Sequence, residues 1–254
     1  KGEQRANYIL KNDNMLYKEA WEIEDIRKPL TNALITQRGY MIEPKYLFST
    51  MIEEIEKGES GKFDVEYLLE AINNIQESTL GQESQETFEN LFDDMDLSST
   101  KLGKTVKARS NLMAKILVLV NEISFTQDDT EIDILGDTYE YLIGKFAANA
   151  GQKAGEFYTP QEVSKVLAKI VTLDKDEITD VYDPTCGSGS LLLRVNKEAK
   201  VGKFYGQELN STTYNLARMN MLLHEVHYSR FDIQNADTIE EPQHMEMEFE
   251  AVVA

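Results

Sequence analysis

The sequence predicts an α/β fold, an open parallel sheet with crossover helices over residues 151–254, preceded by an all-α domain over residues 1–150. Two observations carry this. Up to about Gly151 the apolar residues recur mostly at helical spacing and strand-like alternation is scarce. From Gly151 onward short apolar runs alternate with amphipathic helical faces, the pattern of parallel strands joined by helices. At 254 residues the chain is long enough to bury a core in each part.

In chain order, Trp21 lies near Tyr17 and Ile23 and reads as core or as a subunit contact. Tyr67, Leu68, Ala71, Ile72 and Ile75 share one helical face, and Leu112, Ile116, Leu119, Val120 and Ile123 share another. The Gly/Ser/Glu-rich stretches 58–61 and 81–86 read as exposed connections. Asp137 followed three residues later by Glu140 reads as a capping box opening a helix whose face is Tyr139, Leu142, Ile143 and Phe146. After Gly151, Thr159 is a good N-cap, Pro160 suits the first helical position, and Glu162 completes a second capping box. The helix that follows is expected to bury Val163, Val166, Leu167 and Ile170. Strands are expected at 179–182, 203–206, 230–233 and 248–253, with helices at 191–199 and 211–226. The acidic segment 239–250 reads as a solvated loop leading into the last strand, and no internal repeat is found.

Composition narrows the function. A net charge of −19 with three histidines repels bare nucleic acid, which argues against a stand-alone DNA binder but not against a subunit of one. The single cysteine, Cys186, excludes an internal disulfide framework and fits a reducing cytosol. The longest apolar run, Ile116 to Val120, falls far short of the ~20 residues of a membrane span. With no signal peptide recognisable, the expected location is cytoplasmic, with no membrane partner. The chain opens on Lys1 and stops on the apolar run FEAVVA, so both ends read as cut.

In parallel sheets ligands sit at the carboxyl ends of the strands. There the sequence offers VYDPTCGSGSLLLRV: a strand ending in Asp183, a tight turn with Gly187, Ser188 and Gly189, and a helix starting near Ser190. Glycines at a helix start let a ligand approach backbone N–H groups, although a Gly/Ser loop needing tight geometry explains the same letters. The next strand ends in Glu208, roughly 20 residues on, where a carboxylate could accept both ribose hydroxyls. A surface glutamate is the alternative. Asp237 follows the third strand and could accept an exocyclic adenine amine, with a plain turn aspartate as its alternative. The turn lacks the third glycine of a dinucleotide fingerprint, which favours another adenosine-bearing cofactor.

DPTCGSGSLL resembles the cofactor motif of amino-group DNA methyltransferases, above all the methylation subunits of type I restriction-modification systems. GEFYTP, at 155–160, resembles that family's second cofactor segment, and LGDTYEYLIGKFA, at 135–147, resembles the helix these subunits carry ahead of it. The match is strong over residues 135–237 and weak over about the first hundred. The resemblance implies a Rossmann-like S-adenosylmethionine-dependent domain that methylates N6 of adenine in DNA, the base being flipped out of the stack. It assigns Glu156, Phe157, Tyr158, Thr159, Pro160 and Gln161 to the methionine portion of the cofactor. Aromatic faces there suit a sulfonium, and a helix start suits a carboxylate.

The resemblance also implies an Asn/Asp-Pro-Pro-aromatic catalytic motif, which would follow Ala254, so no catalytic residue is assigned and the chain alone is expected not to turn over. Its implied partners are DNA through a specificity subunit, a second methylation subunit and a restriction (nuclease/translocase) subunit. The helical N-terminal part is then a candidate for partner docking and closure around DNA. No metal is expected: His224 and His227 do not have zinc-helix spacing, and Cys186 is not needed as a nucleophile. Two other readings stay open, a non-catalytic adaptor with this fold and a related RNA or release-factor methyltransferase, which usually lacks the GEFYTP segment.

Overall fold

The structure, a computed structural model, describes residues 2–13, 15–123, 134–149 and 159–254. The chain divides into two compact units, Lys1–Ser124 and Phe125–Ala254. The helix at 134–149, assigned from sequence to the N-terminal domain ending at 150, therefore groups with the sheet.

The first unit is helical: α1 (Gly2–Ile9), α2 (Tyr17–Trp21), α3 (Glu24–Arg38), α4 (Phe48–Glu56), α5 (Val65–Ser78), α6 (Gln85–Phe88) and α7 (Val106–Asn121). Its core gathers Ala6, Leu10, Tyr17, Ala20, Leu30, Leu34 and Leu47, with Trp21 packed edge-on against Tyr17. Tyr17 is buried because its hydroxyl finds the Ile42 carbonyl at 2.8 Å, satisfying the one polar atom of the ring. On α5, Ala71 and Ile72 are buried as the periodicity predicts. On α7 no residue is buried, although its apolar spacing is as regular. The 81–86 connection is less exposed than its composition suggests, because Ser84 is buried with its hydroxyl on the Gly39 carbonyl.

The second unit comprises α8 (Ile134–Asn149), α9 (Gln161–Val171), β1 (Glu177–Asp183), α10 (Ser190–Glu198), β2 (Lys200–Gln207), α11 (Ser211–Leu223), β3 (Phe231–Gln234) and β4 (Ala251–Val252). All strand pairings are parallel and the order is β3-β2-β1-β4, with Val181 beside Phe204 on one side and Ala251 on the other. The chain thus winds outward from β1 to β3 and then returns to the far side of β1. That reversal opens a crevice at the carboxyl ends of β1 and β4, where open α/β sheets bind ligands. The core holds Val181, Phe204, Leu192, Val195, Ala217 and Met221, so β1, β2, α10 and α11 all contribute to it.

Two local expectations are corrected here. Residues Asp137 and Glu140 do not cap α8, which begins at Ile134; they lie one turn apart on one helix face. The buried face of α9 is Ser164 and Ala168 with Leu167 and Val171 partly buried, while Val163, Val166 and Ile170 are 48%, 58% and 64% exposed. Small Ser164 and Ala168 take the centre of the inner face, with Leu167 and Val171 packed against the core beside them. The 239–250 loop is also anchored more firmly than its acidity suggests. Buried His244 and half-buried Phe249 pack their rings against Tyr182 and Tyr205 on the sheet. Among the described residues no helix is long and apolar enough to cross a membrane.

Candidate functional site

Three loops follow β1, β2 and β3, and hydrogen bonds stitch them together. After β1 the chain turns through Pro184 to Gly189, with Gly187 at φ +54° and Gly189 at φ +75°. The turn is closed internally by the Gly189 N–H donating to the Cys186 carbonyl at 2.8 Å, and fixed to β2 by the Cys186 N–H on the Gln207 carbonyl at 3.0 Å. Gly189 also needs its small size, since a Cβ there would lie 3.2 Å from the Met221 terminal methyl.

Glu208 directly follows β2 with its carboxylate on this turn: Oε2 accepts the Gly187 N–H at 3.1 Å and Oε1 accepts the Asn210 N–H at 2.7 Å. From the third loop, Asn235 Nδ2 donates to the carbonyls of Glu208 and Leu209 at 2.7 and 2.9 Å, and the Thr238 hydroxyl donates to the Pro184 carbonyl. Asp237 lies on this third loop, where its Oδ1 accepts the N–H groups of Ile239 and Glu240 at 2.8 and 3.1 Å. This is the turn-aspartate arrangement. The Ser188 carbonyl accepts Asn220 Nδ2 at 3.0 Å, and the Ser188 and Ser190 hydroxyls meet at 3.0 Å.

Asp183 lies at the foot of this cluster and is 3% exposed. Burial pushes its carboxyl from the ordinary 3.8 up to about 7; the Thr185 N–H on its Oδ1 opposes the rise and the Glu208 charge adds to it. Burial likewise raises the Cys186 thiol, so this cysteine is a packing residue. Its sulfur fills the space over Gly206, where a Cβ would come within 2.9 Å of it and 2.8 Å of Ile233.

The second cofactor segment is described in part: Glu156, Phe157 and Tyr158 lie outside the described residues, while Thr159, Pro160 and Gln161 are placed at the start of α9. The expected cap is corrected. Pro160, not Thr159, is the boundary residue and no side-chain cap bond forms; the Ser164 N–H takes the Pro160 carbonyl at 2.9 Å, and the Ser164 hydroxyl folds back on the Thr159 carbonyl at 3.1 Å. Thr159 and Gln161 instead line a cavity of about 300 Å³ with Asp137, Glu140, Ser190 and Arg194. Asp137 accepts Lys197 Nζ there at 2.8 Å. Ligating atoms of Asp137, Glu140 and His224 come within 4.8 Å of one another, whereas the Nδ1 of His227 meets the Ser229 hydroxyl in a separate turn.

Sequence reasoning missed several polar residues that hold this site. Gln207 is fully buried, binding the Glu241 carbonyl through Nε2 and the Gln243 N–H through Oε1. Asn220 is equally buried in the last turn of α11. An amide among apolar core positions is a readable signal, since it needs a partner once buried, but its partner lies far along the chain.

Residues 130–254 match the protein family described as N-6 DNA Methylase. The methylase subunit of the type I restriction enzyme MpnII from Mycoplasma pneumoniae is 39% identical over 236 residues, which cover 90% of this chain and 44% of that protein. The methylase subunit of the HindI enzyme from Haemophilus influenzae is 35% identical over 129 residues, 48% of this chain and 28% of that protein. The crystal structure of the methyltransferase subunit of a type I restriction-modification system from Streptococcus thermophilus superposes with a TM-score of 0.85 at 33% identity, covering 99% of this chain and 54% of that one. The likeness thus reaches into the helical unit, where the sequence motifs were weak. The chain spans less than half the length of these curated relatives.

Proposed function

From the premise that this chain belongs to the N-6 DNA methylase family, together with type I methylation subunits, we propose that it forms the cofactor-binding part of such a subunit. The reaction is transfer of a methyl group from S-adenosylmethionine to N6 of adenine in DNA. A specificity subunit selects the target, and a second methylation subunit completes the methylating assembly. The observation that carries this reading is the meeting of the Gly187–Gly189 turn, Glu208 and the loop that carries Asp237, held through Thr238, at the carboxyl ends of consecutive parallel strands.

Each residue has a task in that reading. Open backbone at the glycine turn lets the cofactor lie close to the α10 start. Glu208 keeps free lone pairs after accepting two N–H groups, so it receives ribose hydroxyls without moving. Asp183, near neutral when buried alone, ionises beside a bound cation, which supplies the charge that burial disfavours. The −19 net charge agrees with leaving DNA contacts to a partner subunit.

The test is calorimetric titration of the chain with S-adenosylmethionine. Wild-type protein is expected to bind, and Glu208→Ala to lose about 10- to 100-fold in affinity, as for hydrogen bonds to a charged group. In the full-length protein assembled with its specificity subunit, labelled methyl should appear on adenine N6 in DNA. Binding without any transfer would favour the adaptor reading instead.

A further inference from the structure

Thr213, Ala217, Asn220 and Met221 share the inner face of α11, and all four are buried. Three of them sit on the glycine turn. A Cβ on Gly189 would lie 3.2 Å from the Met221 terminal methyl and 3.7 Å from the Ala217 Cβ, and Asn220 Nδ2 donates to the Ser188 carbonyl at 3.0 Å.

Packing alone does not account for an asparagine at this position. Asn220 is fully buried, and its Oδ1 has no hydrogen-bond partner among the described residues. A buried acceptor left unpaired costs stability that an apolar side chain of similar size would not. Asn220→Leu removes that acceptor and leaves the buried Ser188 carbonyl unpaired in its place, so the fold as a whole gains little from the amide. What the amide supplies is direction.

The turn needs direction from outside. Gly187 and Gly189, at φ +54° and +75°, leave the backbone between them soft, because no Cβ opposes rotation of the Ser188–Gly189 peptide. That peptide is held at both ends: its carbonyl by Asn220, and its N–H by the Cys186 carbonyl at 2.8 Å. Ser190 opens α10 directly after it, so the orientation of this peptide carries into the first helical turn, whose N–H groups lack intrahelical partners.

We propose that Asn220 is a positioning residue of the cofactor site: its amide holds the Ser188–Gly189 peptide in the orientation that admits S-adenosylmethionine, without touching the ligand. This rests on the cofactor reading above. It makes α11, which carries neither cofactor motif, part of the site.

Measure affinity for S-adenosylmethionine, the urea midpoint and amide hydrogen exchange in wild type, Asn220→Leu and Asn220→Asp. Asn220→Leu should bind about tenfold more weakly, the worth of one hydrogen bond, at a nearly unchanged midpoint. Its Gly189 N–H should exchange about tenfold faster while amides of β1 and β2 keep their rates, as local loosening requires. Asn220→Asp has a donor for the Ser188 carbonyl only when protonated, so relative to wild type its affinity should be nearly equal at pH 5 and about tenfold lower at pH 8. Wild-type affinity in both variants overturns the assignment. A lower midpoint with no pH dependence in Asn220→Asp overturns it as well, by making Asn220 a structural residue. If wild type does not bind S-adenosylmethionine, the cofactor reading itself falls, and this proposal with it.

Discussion

The glycine turn after β1 and the cavity beside α8 meet at Ser190 but treat their polar groups in opposite ways. In the turn, the N–H groups of Thr185, Cys186, Gly187 and Gly189 all have acceptors and the Ser188 carbonyl has Asn220. In the cavity, Arg194 Nε is buried with no acceptor among the described residues. A loop whose groups are satisfied by the fold keeps its shape with or without a ligand. A pocket with unsatisfied groups recovers their cost only on binding, so stability and function pull apart there.

Asp183 is the exception within the turn, and replacing it should give the largest effect. Its carboxyl titrates near 3.8 in an unfolded chain and at about 7 in the fold, so the folded state holds the proton more tightly. Its ionised form is therefore unfavourable to folding above pH 7, and the penalty is relieved as pH falls from 7 toward 4. The gap corresponds to roughly 4 kcal/mol. Asp183→Asn, unfolded in urea without ligand, should be more stable than wild type at pH 8, with the difference shrinking at pH 5. An equal difference at both values would detach the effect from titration.

Gly206→Ala tests the closed side of the comparison. The added methyl meets Ile233 at 2.8 Å and Cys186 Sγ at 2.9 Å, and displacing Cys186 disturbs the turn above it. A loss of about 1–3 kcal/mol is expected from overpacking, read as a lower urea midpoint. Cofactor affinity should fall with it, because both depend on the Cys186 position.

Arg194→Lys tests the open side and should have the smallest effect, since it removes the Nε that lacks an acceptor and keeps a cation for Glu198. Stability, read from the urea midpoint, should change by no more than about 1 kcal/mol. A larger loss would show that Arg194 supports the fold, and the contrast between turn and cavity would lose its basis.

The turn was readable because its parts are contiguous: strand, glycines and helix start follow one another from Val181 to Val195. Glu208 and Asp237 were readable because each follows a short apolar run. Face selection was not. The apolar spacing on α7 buries nothing, and α9 turns Ser164 and Ala168 inward in place of Val163 and Ile170. Asp137 and Glu140 have the spacing of a capping box, and the same i, i+3 separation puts two carboxylates on one face once the helix begins at Ile134.

By itself the sequence determined the parallel α/β alternation, the glycine turn and the carboxylates at the strand ends, since these follow from local periodicity and from glycine's conformational freedom. Only the tertiary structure decided which helix face is inside, which buried amides hold the loops, and that Asp137, Glu140 and Arg194 line one cavity. Those outcomes depend on contacts between residues tens of positions apart, whose strength is set by how closely whole elements approach and by the removal of water between them.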